Sequence, residues 1–199
     1  MKLLFVADPL ESFKPHKDST LAMMNAAQNA GHQIFHAKAT GLSWDGEAVS
    51  AVVSEISVDR NVSPWFRIKS EKSLLLSSFD AVLMRQDPPF DSEFVANTWL
   101  LSQAEREGAR VFNSPTALRE HSEKLSIGEF PQFIAPTLVS RSIERIRAFH
   151  AEHGDIVIKP LDGMGGMGVF RVGADGVNLG SIVETLGDNG RRALMAQRY

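Results

Sequence analysis

Residues 2–37 leave little choice of fold class. Lys2-Leu-Leu-Phe-Val-Ala7 is a short apolar run of strand formers that stops at Asp8-Pro9, where proline removes the next backbone donor. After a polar loop, Asp18-Ser19 can cap a helix reaching about Ala30, with Leu21, Met24 and Ala27 on one face and Gly31 as its stop. A second strand, Ile34 to Ala37, follows at once. Strand, helix, strand with such short connections is the βαβ unit of a parallel sheet, whose ligand-binding loops gather at the C-terminal ends of the strands.

The rest of the first half extends this α/β pattern. Asp45-Gly46 is a two-residue turn signal ahead of the alternating segment Val49 to Val58, which predicts an inserted hairpin. Ala81-Val-Leu-Met84 reads as a buried strand, and Asp91 as the cap of a helix to Glu107, with Phe90 placed to staple against Val95 and Gly108 to end it. Val111-Phe-Asn113 closes another βαβ unit, and Ser114-Pro115 opens a short helix towards His121. From Ser122 the pattern changes to a small α+β arrangement: prolines at 131 and 136, a helix from Ser142 to His153 ended by Gly154, strand Ile156-Val-Ile158, a glycine loop, strand Gly168 to Val172, and a last strand at Ala193 to Ala196. The expected domains are therefore 1–121 and 122–199. No capping or turn signal follows Tyr199, so a chain cut short is expected.

Composition narrows the function class. With 43% hydrophobic residues among 199, the chain can bury a core. Its net charge of -3, from 21 basic and 24 acidic residues spread along its length, offers no basic stripe, so nucleic acid is not an expected partner. No apolar run approaches the ~20 residues that span a bilayer, and residues 1–7 lack the shape of a signal peptide, which makes a cytoplasmic protein with no membrane partner the expectation. The absence of cysteine removes disulfides, thiolate metal sites and a cysteine nucleophile. The six histidines show no metal-ligand spacing and are expected at the surface, and Arg191-Arg192 is expected as a solvated turn.

Two stretches carry chemistry. In Ile156-Val-Ile-Lys159-Pro160-Leu-Asp162-Gly163-Met164-Gly165-Gly166-Met-Gly168 a strand delivers a lysine and then four glycines within six positions. Glycine lets backbone amides approach an anion, and lysine supplies a compact charge for phosphate oxygens; a plain hairpin needs far fewer glycines. The order differs from a Walker loop and from a dinucleotide fingerprint, both of which open a helix. The second stretch, Met84-Arg85-Gln86-Asp87-Pro88-Pro89-Phe90-Asp91, lies where a parallel strand ends. Arg85 offers a planar fork for a carboxylate or phosphate, and Asp87 could orient that fork or a substrate amine. Asp8, Lys17, Asp18 and Ser19, at the end of the first strand, could cover a zwitterionic substrate or form a merely polar loop. Lys124 read alone is a solvated helix-end lysine.

Strand, lysine, glycine loop, strand is the arrangement of the ATP-grasp lid, and the whole chain resembles the prokaryotic glutathione synthetase family. Asp8-Pro9, Lys17-Asp18-Ser19, Leu83-Met84-Arg85-x-Asp87-Pro88-Pro89-Phe90-Asp91, Asn113-Ser-Pro115, Glu123-Lys124 and Ile158 to Gly166 occur in that family's order and spacing. The resemblance implies an α/β parallel-sheet substrate domain followed by a small α+β ATP-grasp lid, with the C-terminal ATP-grasp domain missing. It also implies ATP contacts from Lys124, Lys159, Gly163, Met164, Gly165, Gly166, Gln197 and Tyr199, and substrate contacts from Asp8, Lys17, Ser19 and Arg85, the last also catalytic. Magnesium would be held by ligands beyond residue 199, with none in this chain. The implied reaction joins gamma-glutamylcysteine to glycine through an acyl phosphate, giving ADP and phosphate, with these 199 residues inactive by themselves and association of identical copies left open. The rivals are a catalytically inactive nucleotide or carboxylate sensor and a different ATP-grasp peptide ligase.

Overall fold

The computed structural model describes all 199 residues, which divide into two compact units. One comprises Met1–Asp87 with Ser92–Glu120, the other Pro88–Asp91 with His121–Tyr199.

The first unit is built on a seven-stranded sheet. Strand β1 (Lys2–Ala7) is central; β2 (Gln33–Lys38) and β6 (Ala81–Arg85) flank it in parallel, and β7 (Val111–Phe112) pairs in parallel with β6. The expected hairpin is present as β3 (Leu42–Trp44) and β4 (Val49–Val58). It makes the sheet mixed, because β4 runs antiparallel to β2, β3 and β5 (Phe66–Leu75). Nothing in the sequence pattern announced β5: eight of its ten residues are exposed, and its charges leave no apolar face to read. Helix α1 (Ser19–Asn29) lays Leu21 and Met24 against Phe5, Ile34 and Ile56. Helix α2 (Ser92–Arg106) buries Phe94, Thr98 and Leu101, and α3 (Pro115–Glu120) follows the last strand.

The start of α1 matters for the site, and it is set by one side chain. Asp18 has extended backbone and accepts the Leu21 N–H at 2.8 Å, satisfying one of the orphan donors of the first turn. Asp18→Ala is expected to lower stability by about 1 kcal/mol, read as a shifted urea midpoint with unchanged slope. An unchanged midpoint would mean that the cap contributes nothing to holding Ser19 in place.

The second unit is a four-stranded antiparallel sheet in the order β10-β9-β11-β8, where β8 is Thr137–Ser140, β9 Ile156–Pro160, β10 Phe170–Val172 and β11 Leu194–Arg198. Helix α4 (Ile143–His153) is capped by the Ser142 hydroxyl, which accepts the Arg145 N–H at 3.2 Å, and ends at Gly154. Helix α5 (Leu179–Leu186) was not anticipated, although Leu179, Ile182, Val183 and Leu186 repeat at helical spacing. Both helices cover one face of the sheet: Ile146, Leu179 and Val183 pack on Ile156, Ile158, Leu194 and Ala196. Strand alternation then sends Lys159, Met195 and Gln197 to the other face.

Candidate functional site

In the first unit the C-terminal edges of β1 and β6 lie side by side, with Ala7 paired to Arg85. Arg85 Nε donates to Thr20 Oγ1 at 3.1 Å and its Nη2 to Ser19 Oγ at 3.0 Å. Two hydroxyls from the first turn of α1 thus set the plane of the guanidinium, which is what bidentate recognition of a carboxylate or phosphate requires. Asp8 turns back across the strand ends to accept the Asp87 N–H at 2.7 Å. Asp8, Ser19 and Arg85 therefore come together, and Lys17 stands two residues before Ser19, its N–H closing a turn on Lys14 at 2.9 Å. Thr20, which is buried, was missed by sequence reasoning because a second hydroxyl after a helix cap reads as ordinary capping composition.

In the second unit the glycine loop joins β9 to β10. Lys124 donates to the Gly163 carbonyl at the start of this loop. Burial pushes the Lys159 ammonium below the ordinary lysine value, and the positive charge of Lys124 lowers it further. The two lysines and the loop thus face one another, a concentration of positive charge beside glycine-rich backbone. At the loop's entrance Arg192 is ion-paired with Asp162, so it is a tied residue and not simply a solvated turn. On the same sheet Gln197 Nε2 donates to Thr137 Oγ1 at 2.9 Å, and the Arg171 guanidinium lies 3.9 Å from the centre of the exposed Tyr199 ring. Met164, Gly165 and Gly166 occupy the loop itself, the two glycines at φ +62° and +81°.

Gly168, given no role by sequence, is the tightest point of this loop: its φ is +70°, and a Cβ there would sit 3.1 Å from the Pro160 ring. Gly168→Ala is expected to weaken nucleotide binding by about tenfold, because strain of about 1–2 kcal/mol would displace the loop. Fluorescent-nucleotide titration of the full-length protein measures it, and unaltered affinity would show the loop to be tolerant.

The expectation that all six histidines lie at the surface is wrong for two. His36 and His150 are buried, their Nε2 atoms 2.9 Å from the Asp8 carbonyl and 2.8 Å from the Gly173 carbonyl. Burial pushes His36 below its ordinary value; the hydrogen bond to Asp8 opposes this, and the charge of Lys38 adds to it. A lone histidine in a strand carries no spacing signal, so only the pairing of β1 with β2 reveals that it backs the Asp8 turn.

Comparison with known proteins fits this geometry. The family description "Prokaryotic glutathione synthetase, N-terminal domain" matches residues 1–119, and "Prokaryotic glutathione synthetase, ATP-grasp domain" matches residues 123–199. A glutathione synthetase of Ralstonia nicotianae is 54% identical over 199 residues, covering all of this chain and 61% of that protein. One from Bordetella parapertussis is 49% identical over 204 residues, covering all of this chain and 64% of its own length. The chain thus spans somewhat less than two thirds of the relatives it matches. Among solved structures, the D-cycloserine synthetase DcsG superposes with a TM-score of 0.64 at 20% identity, covering all of this chain and 59% of that one, which is similarity of fold alone. No helix is long and apolar enough to cross a membrane. Matched by family descriptions over nearly its whole length, the chain belongs to the prokaryotic glutathione synthetase family.

Proposed function

We propose that the protein carrying these residues ligates gamma-glutamylcysteine to glycine at the expense of ATP, with the first unit holding the dipeptide and the second the nucleotide phosphates. The observation that carries this reading is the approach of Lys124 and Lys159 beside the glycine loop. Two like charges facing each other, one of them partly desolvated, are a poor arrangement for stability alone; a polyanion between them removes the repulsion. Gln197 and Tyr199, at the end of the same sheet, are assigned to the adenine side, and Arg85 with Asp8, Lys17 and Ser19 to the dipeptide.

The chain's own residues perform charge neutralisation and positioning, with no covalent step on a protein nucleophile. Arg85 would orient the cysteinyl carboxylate, Lys124 and Lys159 would draw charge from the transferring phosphoryl oxygens, and the glycine loop would exclude water from the activated carboxylate. Magnesium, when bound, supplies further neutralisation of the nucleotide. No three His, Asp or Glu side chains of the chain stand together as a cation cage, so no ligand is assigned to it here. The reaction is tested by mass spectrometry on full-length protein given gamma-glutamylcysteine, glycine, ATP and magnesium. Glutathione with matching ADP is expected, and ADP release without glutathione would refute the reading.

The lysine pair also predicts a proton signature. The Lys159 value is depressed in the free site, and a bound triphosphate raises it, so between the two values the complex holds more protons than the free protein. Nucleotide binding in the alkaline range just below the ordinary lysine value is expected to take up protons, and none well below that range. Calorimetry in buffers of differing ionisation heat measures this, and Lys159→Met should abolish it. Heat independent of buffer in the parent protein would contradict the assignment.

A further inference from the structure

Beside the Asp8 turn, where the C-terminal end of β2 meets the middle of β4 and β5, lies a cavity of about 200 Å³ that neither the sequence nor the family comparison assigns. We propose that it binds the α-amino-acid head of the dipeptide substrate, Lys38 taking the α-carboxylate and Glu71 the α-ammonium. The proposal rests on the function given above and deepens it.

The cavity is small. Ligand pockets for drug-sized molecules run to ~300–1,000 Å³, so this one suits a fragment the size of an amino-acid head. Its floor is polar and nearly closed: His36 and Ser54 are 5% and 8% exposed and are paired across β2 and β4. Glu71 stands opposite Ser54 on β5 and accepts its hydroxyl at 3.1 Å. Lys38 lies two residues beyond His36 on the same strand, hence on the same face, and its charge is felt at the His36 ring. A cation and a carboxylate at the rim of a neutral polar floor match a zwitterion, which is what distinguishes the glutamyl end of this dipeptide from an acylated one.

Position agrees with length. Ala7 pairs with Arg85 on one side and with Lys38 on the other, which puts Lys38 and Arg85 on the same face with their Cα atoms two strand spacings, or about 9–10 Å, apart. A dipeptide extends by about 3.5 Å per residue, and the two extra methylenes of a gamma-linkage bring its head and its far carboxylate to that separation. Arg85 would then hold the reacting end and the cavity the other.

The test uses the full-length protein and three peptides: gamma-glutamylcysteine, 4-aminobutyryl-cysteine, which lacks the α-carboxylate, and glutaryl-cysteine, which lacks the α-amino group. Calorimetric Kd is measured beside KM. Lys38→Met is expected to weaken gamma-glutamylcysteine about tenfold and leave 4-aminobutyryl-cysteine unchanged; Glu71→Gln is expected to do the same for gamma-glutamylcysteine and leave glutaryl-cysteine unchanged. KM for ATP should not move in either variant. Equal losses on the parent and truncated peptides, or no loss on gamma-glutamylcysteine, would overturn the proposal. A parent protein that binds the peptide without forming glutathione would refute the reaction alone, and the head-group assignment would still be decided by the Kd values.

Discussion

Replacing Lys159 by methionine is expected to lower kcat/KM for ATP about 10²–10³-fold in the full-length protein while leaving the fold intact. Methionine keeps most of the side-chain length and suits a partly buried position, so the sheet face carrying Lys159 beside Val157 and Met195 should close as before. On the proposed function, what disappears is one of the two charges that meet the phosphoryl oxygens, and Lys124, held on the Gly163 carbonyl, supplies only its own share. The reciprocal change sharpens the test. Lys124→Met removes the second cause of the Lys159 shift, so the Lys159 ammonium should rise towards its ordinary value, visible by NMR on labelled lysine. Stopped-flow ADP release with a urea unfolding curve separates catalysis from stability. A variant with parental kinetics would remove Lys159 from the nucleotide site, whatever the family suggests.

The second large effect is expected at Arg85. Arg85→Lys retains the charge but loses the fork that Ser19 and Thr20 hold at 3.0 and 3.1 Å, and an ammonium cannot reproduce two parallel bonds to a carboxylate. The expected result is a fall of about 10²-fold in kcat/KM for gamma-glutamylcysteine with KM for ATP nearly unchanged. Ser19→Ala should give a smaller loss in the same direction, since it releases one of the two bonds and leaves the fork present. A selective rise in KM for ATP would place Arg85 on the phosphate and not on the dipeptide.

Much of this was legible in the sequence where local signals coincide with tertiary ones. The cap at Asp18, the apolar run of β1 and the stops at Gly31 and Gly154 are local, and each recurs in the structure within a residue or two. Lys159 and Arg85 could be picked out because each is a cation at the end of an otherwise apolar strand. Strand β8 escaped notice because four residues after a proline give too short a pattern, and α5 because its apolar repeat sits between glycine-rich turns. His36, Lys38 and Glu71 were invisible for a different reason: they are brought together by the antiparallel return of β4 and β5, and strand pairing at such separation leaves no trace in composition. Thr20 and Arg192 likewise gain meaning only from what they touch.

Strand β5 has a consequence for how this molecule opens. It forms the outer edge of its sheet, pairs only with β4, and carries Arg67, Lys69, Glu71 and Lys72 in the open, charges that discourage edge-to-edge aggregation. Such a strand contributes little apolar burial and is held mainly by backbone bonds, so its amides are expected to exchange with solvent deuterium long before those of β1. Of the cavity's walls, the one bearing Glu71 is therefore the most labile, and a peptide head seated there would slow exchange along a strand that has almost no apolar anchorage of its own.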